Sequence, residues 1–304
     1  MVDGAVYSQQ VQLLVRTLPF VAEQSVFALK GGTAINLFVL DMPRLSVDID
    51  LAYLPIEDRQ KSLRSCKQAL SAIAESMRST SPQHDVHEQF GRPDELRLLV
   101  RDHGVQIKVE VSPVLRGAVF PPVMRDIHPV ANREFGFAHM TVLSEPDLYG
   151  GKICAALDRQ HPRDLFDVML LLRSKGLTRA IFDGFLVYLI SHGRPIAELL
   201  DPRPKDLSKS FENQFQGMTR EAISLEQLVQ ARDDLLTELA RQMTDRDKEF
   251  LLSVKQGKPD WSLHSVDEID QLPAVRWKLQ NVQAMPEGKH LEALSNLEKI
   301  LAEF

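Results

Sequence analysis

The sequence predicts an α+β fold, with a mixed-sheet domain over residues 1–143 followed by an α-helical domain over residues 144–304. Three observations carry this. Period-two alternation of apolar residues is confined to the first half of the chain, helical spacing dominates from Ser144 onward, and 304 residues suit two domains of ordinary size. An apolar fraction of 44% with 26% charged residues supplies real cores, and 17 Pro with 15 Gly give no disordered or fibrous character.

The elements follow in order. Residues 6–18 carry helical spacing, and after the apolar run 27–29 the turn Lys30-Gly31-Gly32-Thr33 opens a second helix over 34–40, which Met42-Pro43 ends. Residues 46–52 alternate polar with apolar, the pattern of a half-buried strand. A helix over 62–77 comes next, then strands over 95–101 and 105–111 joined by Asp102-His103-Gly104 as a hairpin turn, so the sheet is at least partly antiparallel. In the second domain, Ser144-Glu145-Pro146-Asp147 marks a helix start through a capping Ser and a Pro in the first turn. Helices are predicted over 146–158, 163–174, 178–191, 225–241, 245–256 and 287–304, with the polar stretch 201–217 as a link. Leu291, Leu294, Leu297, Leu301 and Phe304 form a stripe on the last helix that predicts a core face.

Several classes are excluded. No run approaches the ~18 apolar residues of a membrane helix, and the start lacks a basic segment followed by an apolar one, so a spanning or secreted protein is not expected. Cys66 and Cys154 stand far apart with no CxxC pattern, which excludes a disulfide scaffold and points to a reducing compartment, the cytoplasm. A net charge of −6 argues against a surface that coats nucleic acid and leaves a local basic groove as the route to a polyanion.

Asp48 and Asp50 lie two apart on a strand, so both side chains leave one face while Ile49 and Leu51 bury the other. Their repulsion is offset by a divalent cation, and hard carboxylate oxygens suit Mg²⁺ or Mn²⁺. On the later strand Ile107, Val109 and Val111 form the apolar face, which leaves Lys108 and Glu110 on the other, where Glu110 can join the aspartates. Three such groups are what a metal-dependent phosphoryl-transfer centre requires. A lone Asp-x-Asp is more often a solvated strand edge. The upstream turn changes that weighing: Gly31 and Gly32 permit close backbone approach, and helix-start amides with the Thr33 hydroxyl can hold phosphate oxygens. The turn has neither the GxxxxGK[ST] nor the GxGxxG spacing, so kinase-like NTPase and dehydrogenase chemistry are not indicated.

The run Lys30-Gly31-Gly32-Thr33 through Arg44-x-Ser46-x-Asp48-Ile49-Asp50-Leu51 resembles the first motif of the AbiEii/AbiGii-type nucleotidyltransferase toxins, of type IV toxin–antitoxin systems. They are a branch of the DNA polymerase β-like nucleotidyltransferase superfamily. The resemblance continues in Ile107-Lys108-Val109-Glu110-Val111, in residues 148–159 around Lys152, in Pro162-Arg163-Asp164-Leu165-Phe166-Asp167, in Phe215-Gln216-Gly217-Met218 and in Lys258-Pro259-Asp260-Trp261. It covers most of the chain from Phe27 to about Trp261.

The resemblance implies a polymerase-β-like nucleotidyltransferase sheet domain and a helical domain contributing Lys and Asp to one active site. Asp48 and Asp50 would bind Mg²⁺; Glu110 would complete the set or deprotonate an attacking hydroxyl; Lys30, Gly31, Gly32, Thr33 and Ser46 would hold nucleotide phosphates; Lys152 and Arg44 would contact the triphosphate. Glu110 stands where the superfamily usually has Asp, so it is a base, a group behind the metal ligands, or only structural. Asp164 and Asp167 share a helix face at i, i+3; Asp167 is the better match to the family's aspartate, and Asp164 is left to position Lys152 or Arg163. Without the resemblance these residues read as an interhelical salt bridge. The implied reaction moves a nucleoside monophosphate from an NTP to RNA, at the 3′ acceptor end of tRNA, and blocks translation. The implied partner is an antitoxin, often a winged-helix DNA-binding protein.

Cations for RNA are sought at Arg159 and Arg163, with Arg203, Lys205 and Lys209. His84, His87 and His103 read as surface residues, and Trp261 and Trp277 as packed ones. Other readings are a small-molecule, antibiotic-type nucleotidyltransferase, a nucleotide-binding regulator without transfer activity, and a structural interaction protein.

Overall fold

A computed structural model describes residues 4–81, 83–92 and 94–304, so the first three residues of the predicted first domain lie outside it. The chain divides into two compact units, Met1–Ser144 with Gln216–Ala222, and Glu145–Phe215 with Ile223–Phe304. The return of Gln216–Ala222 to the first unit is a feature the polar linker did not announce.

In the first unit, helix α1 (Gly4–Ala22) leads to strand β1 (Phe27–Lys30), the short helix α2 (Gly31–Ala34) and a wider π turn over Ile35–Val39. The helix predicted over 34–40 thus begins at the glycines themselves. Strand β2 (Asp48–Tyr53) follows, then α3 (Arg59–Thr80), whose Asp58 cap accepts from the Lys61 amide at 2.9 Å. The rest is β3 (Asp85–Gln89), β4 (Arg97–Asp102), β5 (Val105–Arg116), β6 (Val123–Asp126), α4 (Pro129–Phe135) and β7 (His139–Val142). The β4–β5 hairpin turns on His103 and Gly104, both at positive φ (44° and 83°), the geometry that matches strand twist.

Among the described residues seven strands form one mixed sheet in the order β3-β4-β5-β2-β1-β7-β6. β2 runs antiparallel to β1 and parallel to β5, so the acidic strand sits mid-sheet with a neighbour on each side. Ile49, Leu51, Leu98, Val100, Ile107 and Val109 are buried on the face covered by α1 and α3. By strand parity the polar residues between them occupy the opposite face.

The second unit is helical: α5 (Glu145–Arg159), α6 (Pro162–Ser174), α7 (Arg179–Ser191), α8 (Ile196–Leu200), α9 (Ser208–Gln214), α10 (Leu225–Gln242), α11 (Asp245–Lys255), α12 (Pro273–Gln283) and α13 (Glu287–Glu303). Ser224 and Thr244 form reciprocal capping boxes that start α10 and α11. α5 packs on α6 and α7, and α10 on α6. The predicted link 201–217 contains α9, and the stripe on α13 is buried at Leu297 and Leu301 but exposed at Leu291. No helix of the described residues is long and apolar enough to cross a membrane.

Candidate active site

Strand β2 sends Asp48 and Asp50 to one face, with Ile49 and Leu51 fully buried on the other. Parallel pairing with β5 sets Asp48 opposite Lys108 and Asp50 opposite Glu110. Antiparallel β4 sets Arg97 opposite Glu110, and β1 sets Lys30 opposite Asp50. Residues directly opposite in register share a face, so one row runs Arg97, Glu110, Asp50, Lys30 across four strands. The Lys108 ammonium lies 3.6 Å from Asp48 Oδ1, and the Arg97 guanidinium donates to Glu110 Oε1 at 3.1 Å. Strand alternation pointed to the three carboxylates and Lys108; Arg97 escaped it because pairing between strands, which alternation does not encode, brings it there.

The glycine turn is built against this face. Gly31 has φ +72°, and a Cβ on it would stand 2.5 Å from Asp50 Oδ2. A Cβ on Gly32 would stand 2.7 Å from an Arg44 guanidinium nitrogen and 3.0 Å from Ser46 Oγ. Polar side chains of the motif therefore pack directly on glycine backbone. Thr33, expected to offer its hydroxyl to a phosphate, is only 1% exposed. Its single hydroxyl proton goes to the Asp48 carbonyl oxygen, and Ser46 Oγ, 3.0 Å away, donates to it in return. Thr33 and Ser46 thus pin the turn to the start of β2.

Arg44, expected at the triphosphate, is buried and donates to the Leu45 carbonyl at 2.9 Å. Its segment is clamped by the returning chain: the Leu45 amide donates to Met218 O at 2.9 Å, the Arg220 amide to Pro43 O at 3.0 Å, and Arg44 bridges Thr219. Arg44 braces the turn from behind. Of the family-like Phe215-Gln216-Gly217-Met218 run, Met218 takes part in this clamp.

In the second unit, a Cβ on Gly150 of α5 would come within 2.8 Å of the Gly184 and Phe185 backbone on α7, and one on Gly151 within 3.3 Å of the Tyr188 ring. The paired glycines before Lys152 serve close helix packing. Lys152 Nζ lies 2.8 Å from Asp164 Oδ1 and 3.0 Å from Asp167 Oδ2; it is 7% exposed and both aspartates are 0% exposed. Arg159 donates to both oxygens of Asp164. Burial alone would raise the Asp164 carboxyl, but the Lys152 ammonium and Arg159 guanidinium outweigh it and hold the group well below the usual carboxylate range. Of the two partners expected for Asp164, Lys152 and Arg163, it holds Lys152, with Arg159 on its other side, and Asp167 shares the same ammonium.

The turn between α5 and α6 is tied to the segment that carries Arg203 and Lys205. The Gln160 side chain donates to Arg203 O at 2.9 Å and accepts from the Lys205 amide at 3.0 Å, and Lys205 Nζ reaches Asp158 O at 2.9 Å. Arg203, Lys205 and Lys209 are exposed, Arg163 is half-buried, and His161 caps the Arg163 amide at 3.1 Å. His84 departs from its expected surface place: it is buried, 3.6 Å from Asp102, while His87 and His103 are exposed. Trp261 packs on Phe250 as expected, behind the Asp260 cap; Trp277 is 49% exposed, because only Ala274 and Val275 of that turn face inward.

The fold is that of a nucleotidyltransferase toxin. The solved structure of MenT4, a nucleotidyltransferase toxin from Mycobacterium tuberculosis, superposes with a TM-score of 0.60 at 14% identity, covering 91% of this chain and 92% of that one. The family model described as nucleotidyl transferase AbiEii toxin, type IV toxin–antitoxin system, matches residues 12–281, and the chain belongs to that family. Comparison with curated proteins gives no match.

Proposed function

We propose that the protein transfers a nucleoside monophosphate from an NTP to an RNA hydroxyl at the 3′ acceptor end of tRNA, and so blocks translation as the toxin of a toxin–antitoxin pair. The observation that carries this reading is the set of Asp48, Asp50 and Glu110 on one sheet face, Asp50 in register with Glu110, beside the Gly31–Gly32 turn. Among the described residues no three His, Cys, Asp or Glu side chains are arranged to hold an ion unaided. Two half-buried aspartates still suit Mg²⁺ or Mn²⁺, since Mg²⁺ usually binds through one or two carboxylates together with substrate phosphates. Asp48 and Asp50 would hold the ion, which when bound supplies positive charge to the attacking and leaving oxygens.

The chain's own residues do the rest. Lys30 and the backbone of Gly31 and Gly32 receive phosphate oxygens, while Thr33, Arg44 and Ser46 keep that turn rigid against β2. As the acceptor oxygen bonds to the α-phosphorus, its proton passes to Glu110 and the pyrophosphate leaves with the electrons of the broken P–O bond. The resemblance assigns Lys152 and Asp167 to the same reaction, with Asp164, itself held by Arg159, fixing Lys152 in place. Arg163 and Arg203 serve the RNA better than Arg159, which is committed to Asp164. The cytoplasm supplies these substrates, and the family implies an antitoxin, for which a winged-helix DNA-binding protein is the proposed form.

The test incubates the protein with Mg²⁺, each α-labelled NTP in turn and total tRNA, beside Asp48→Asn protein. Label on the tRNA 3′ end with one preferred nucleotide, absent with Asp48→Asn, is expected. NTP binding without labelled RNA would overturn the RNA reading in favour of a small-molecule transferase or a regulator.

A further inference from the structure

The row Arg97, Glu110, Asp50, Lys30 places two like charges directly opposite each other, with a cation at either end. Directly opposed like charges push apart, and Glu110 is the member free to move: its side chain has one more methylene than aspartate and is 40% exposed. Left alone beside Asp50, its carboxylate would swing away into water. Arg97 stands on its other flank, in register, and one guanidinium N–H holds Oε1 at 3.1 Å. The second oxygen, Oε2, is left for another contact. The hydrogen bond to Glu110, opposed by partial burial, raises the guanidinium's pKa further, so this cation persists at every working pH.

We propose that Arg97 is a positioning residue for nucleotidyl transfer, fixing the Glu110 carboxylate beside Asp50 so that the longer side chain can serve where an aspartate would otherwise stand. This rests on the reading of the acidic face given above. A half-exposed ion pair with a single hydrogen bond contributes little to stability by itself, so the role is one of placement. Lys108 is less suited to it, because it stands in register with Asp48 and its ammonium lies 3.6 Å from that carboxylate, whereas Arg97 is the cation in register with Glu110.

The test compares Arg97→Gln, Arg97→Lys, Glu110→Gln and the double variant Arg97→Gln/Glu110→Gln. Three readouts are taken: pyrophosphate release with NTP and tRNA (kcat and KM separately), Mn²⁺–NTP affinity by calorimetry, and Tm. Arg97→Gln is expected to lower kcat about 10- to 100-fold with KM for NTP within about twofold, the range for a group that orients a reacting one. Arg97→Lys should recover part of the loss, and in the Glu110→Gln background Arg97→Gln should add less than about twofold. Additive losses, or a rise in KM with kcat unchanged, would overturn the assignment by placing Arg97 on the substrate. A fall in Tm that accounts for the lost activity in both Arg97 variants would also overturn it. If wild-type protein neither releases pyrophosphate nor binds Mn²⁺–NTP more tightly than Asp48→Asn, the reading of the acidic face falls and this assignment with it.

Discussion

Replacing Lys152 by Met keeps the volume of the side chain and removes the one ammonium that lies between two fully buried carboxylates. At 2.8 and 3.0 Å each contact is worth about 6 kcal/mol by Coulomb's law at an effective dielectric near 20, set against the cost of having buried the ions. Breaking a buried pair from one side typically costs about 3–5 kcal/mol, because the remaining charge stays in the interior. For a unit of ordinary domain size that is a fall in Tm of about 10 °C.

The effect carries a pH signature. Asp164 in the folded protein titrates below its ordinary 3.8, so the network stabilises above about pH 4 and is lost as pH falls through the folded value. In Lys152→Met the burial that opposes ionisation meets only Arg159, and protonation at low pH relieves the penalty. Urea unfolding should therefore show the largest gap between the two proteins near pH 7 and a smaller one below about pH 4. A difference under 1 kcal/mol at pH 7, or one equal at both pH values, would refute the reasoning. The result also governs how activity data are read, since a loss in Lys152→Ala mixes lost chemistry with lost stability.

Three further outcomes follow from the geometry. Gly31→Ala forces a Cβ to within 2.5 Å of Asp50 Oδ2 at φ +72°, so Mn²⁺–NTP affinity by calorimetry should fall at least about tenfold, with about 1–2 kcal/mol lost in urea unfolding. Gly150→Ala pushes α5 from the α7 backbone, contacts of 2.8 Å that no side-chain motion relieves, and should destabilise by about 1–3 kcal/mol in urea unfolding. Burial pushes the Cys66 thiol up to about 12 and raises that of Cys154 as well, so neither should react with a thiol reagent at pH 8 in native protein, and both should react in urea.

The acidic face was legible in the sequence because strand alternation is a local signal: Asp48, Asp50, Lys108 and Glu110 follow from period two alone. Six helices of the second unit were legible for the same reason, with Thr178, Ser224 and Thr244 capping where polar residues precede apolar runs, whereas α8, α9 and α12 were not. Long-range pairing was not. The clamp of 218–220 on 43–45 and the register of Arg97 with Glu110 depend on segments that meet only in the fold. Thr33 and Arg44 were read as phosphate contacts because polar residues in a motif suggest a ligand; their burial, with Thr33 bonded to the Asp48 carbonyl and Arg44 to that of Leu45, depends on packing that the motif does not encode. β3 was missed because its sequence, Asp85 to Gln89, is polar on an edge strand with a single buried residue, Val86.

The central claim is that the carboxylate face of β2 and β5 carries out nucleotidyl transfer. Pyrophosphate release from Mg²⁺–NTP in the presence of tRNA tests it most directly, with wild type, Asp48→Asn and Asp50→Asn compared at matched Tm. Release by wild type that falls at least about a hundredfold in both variants is predicted. Release unchanged by either substitution would contradict the account.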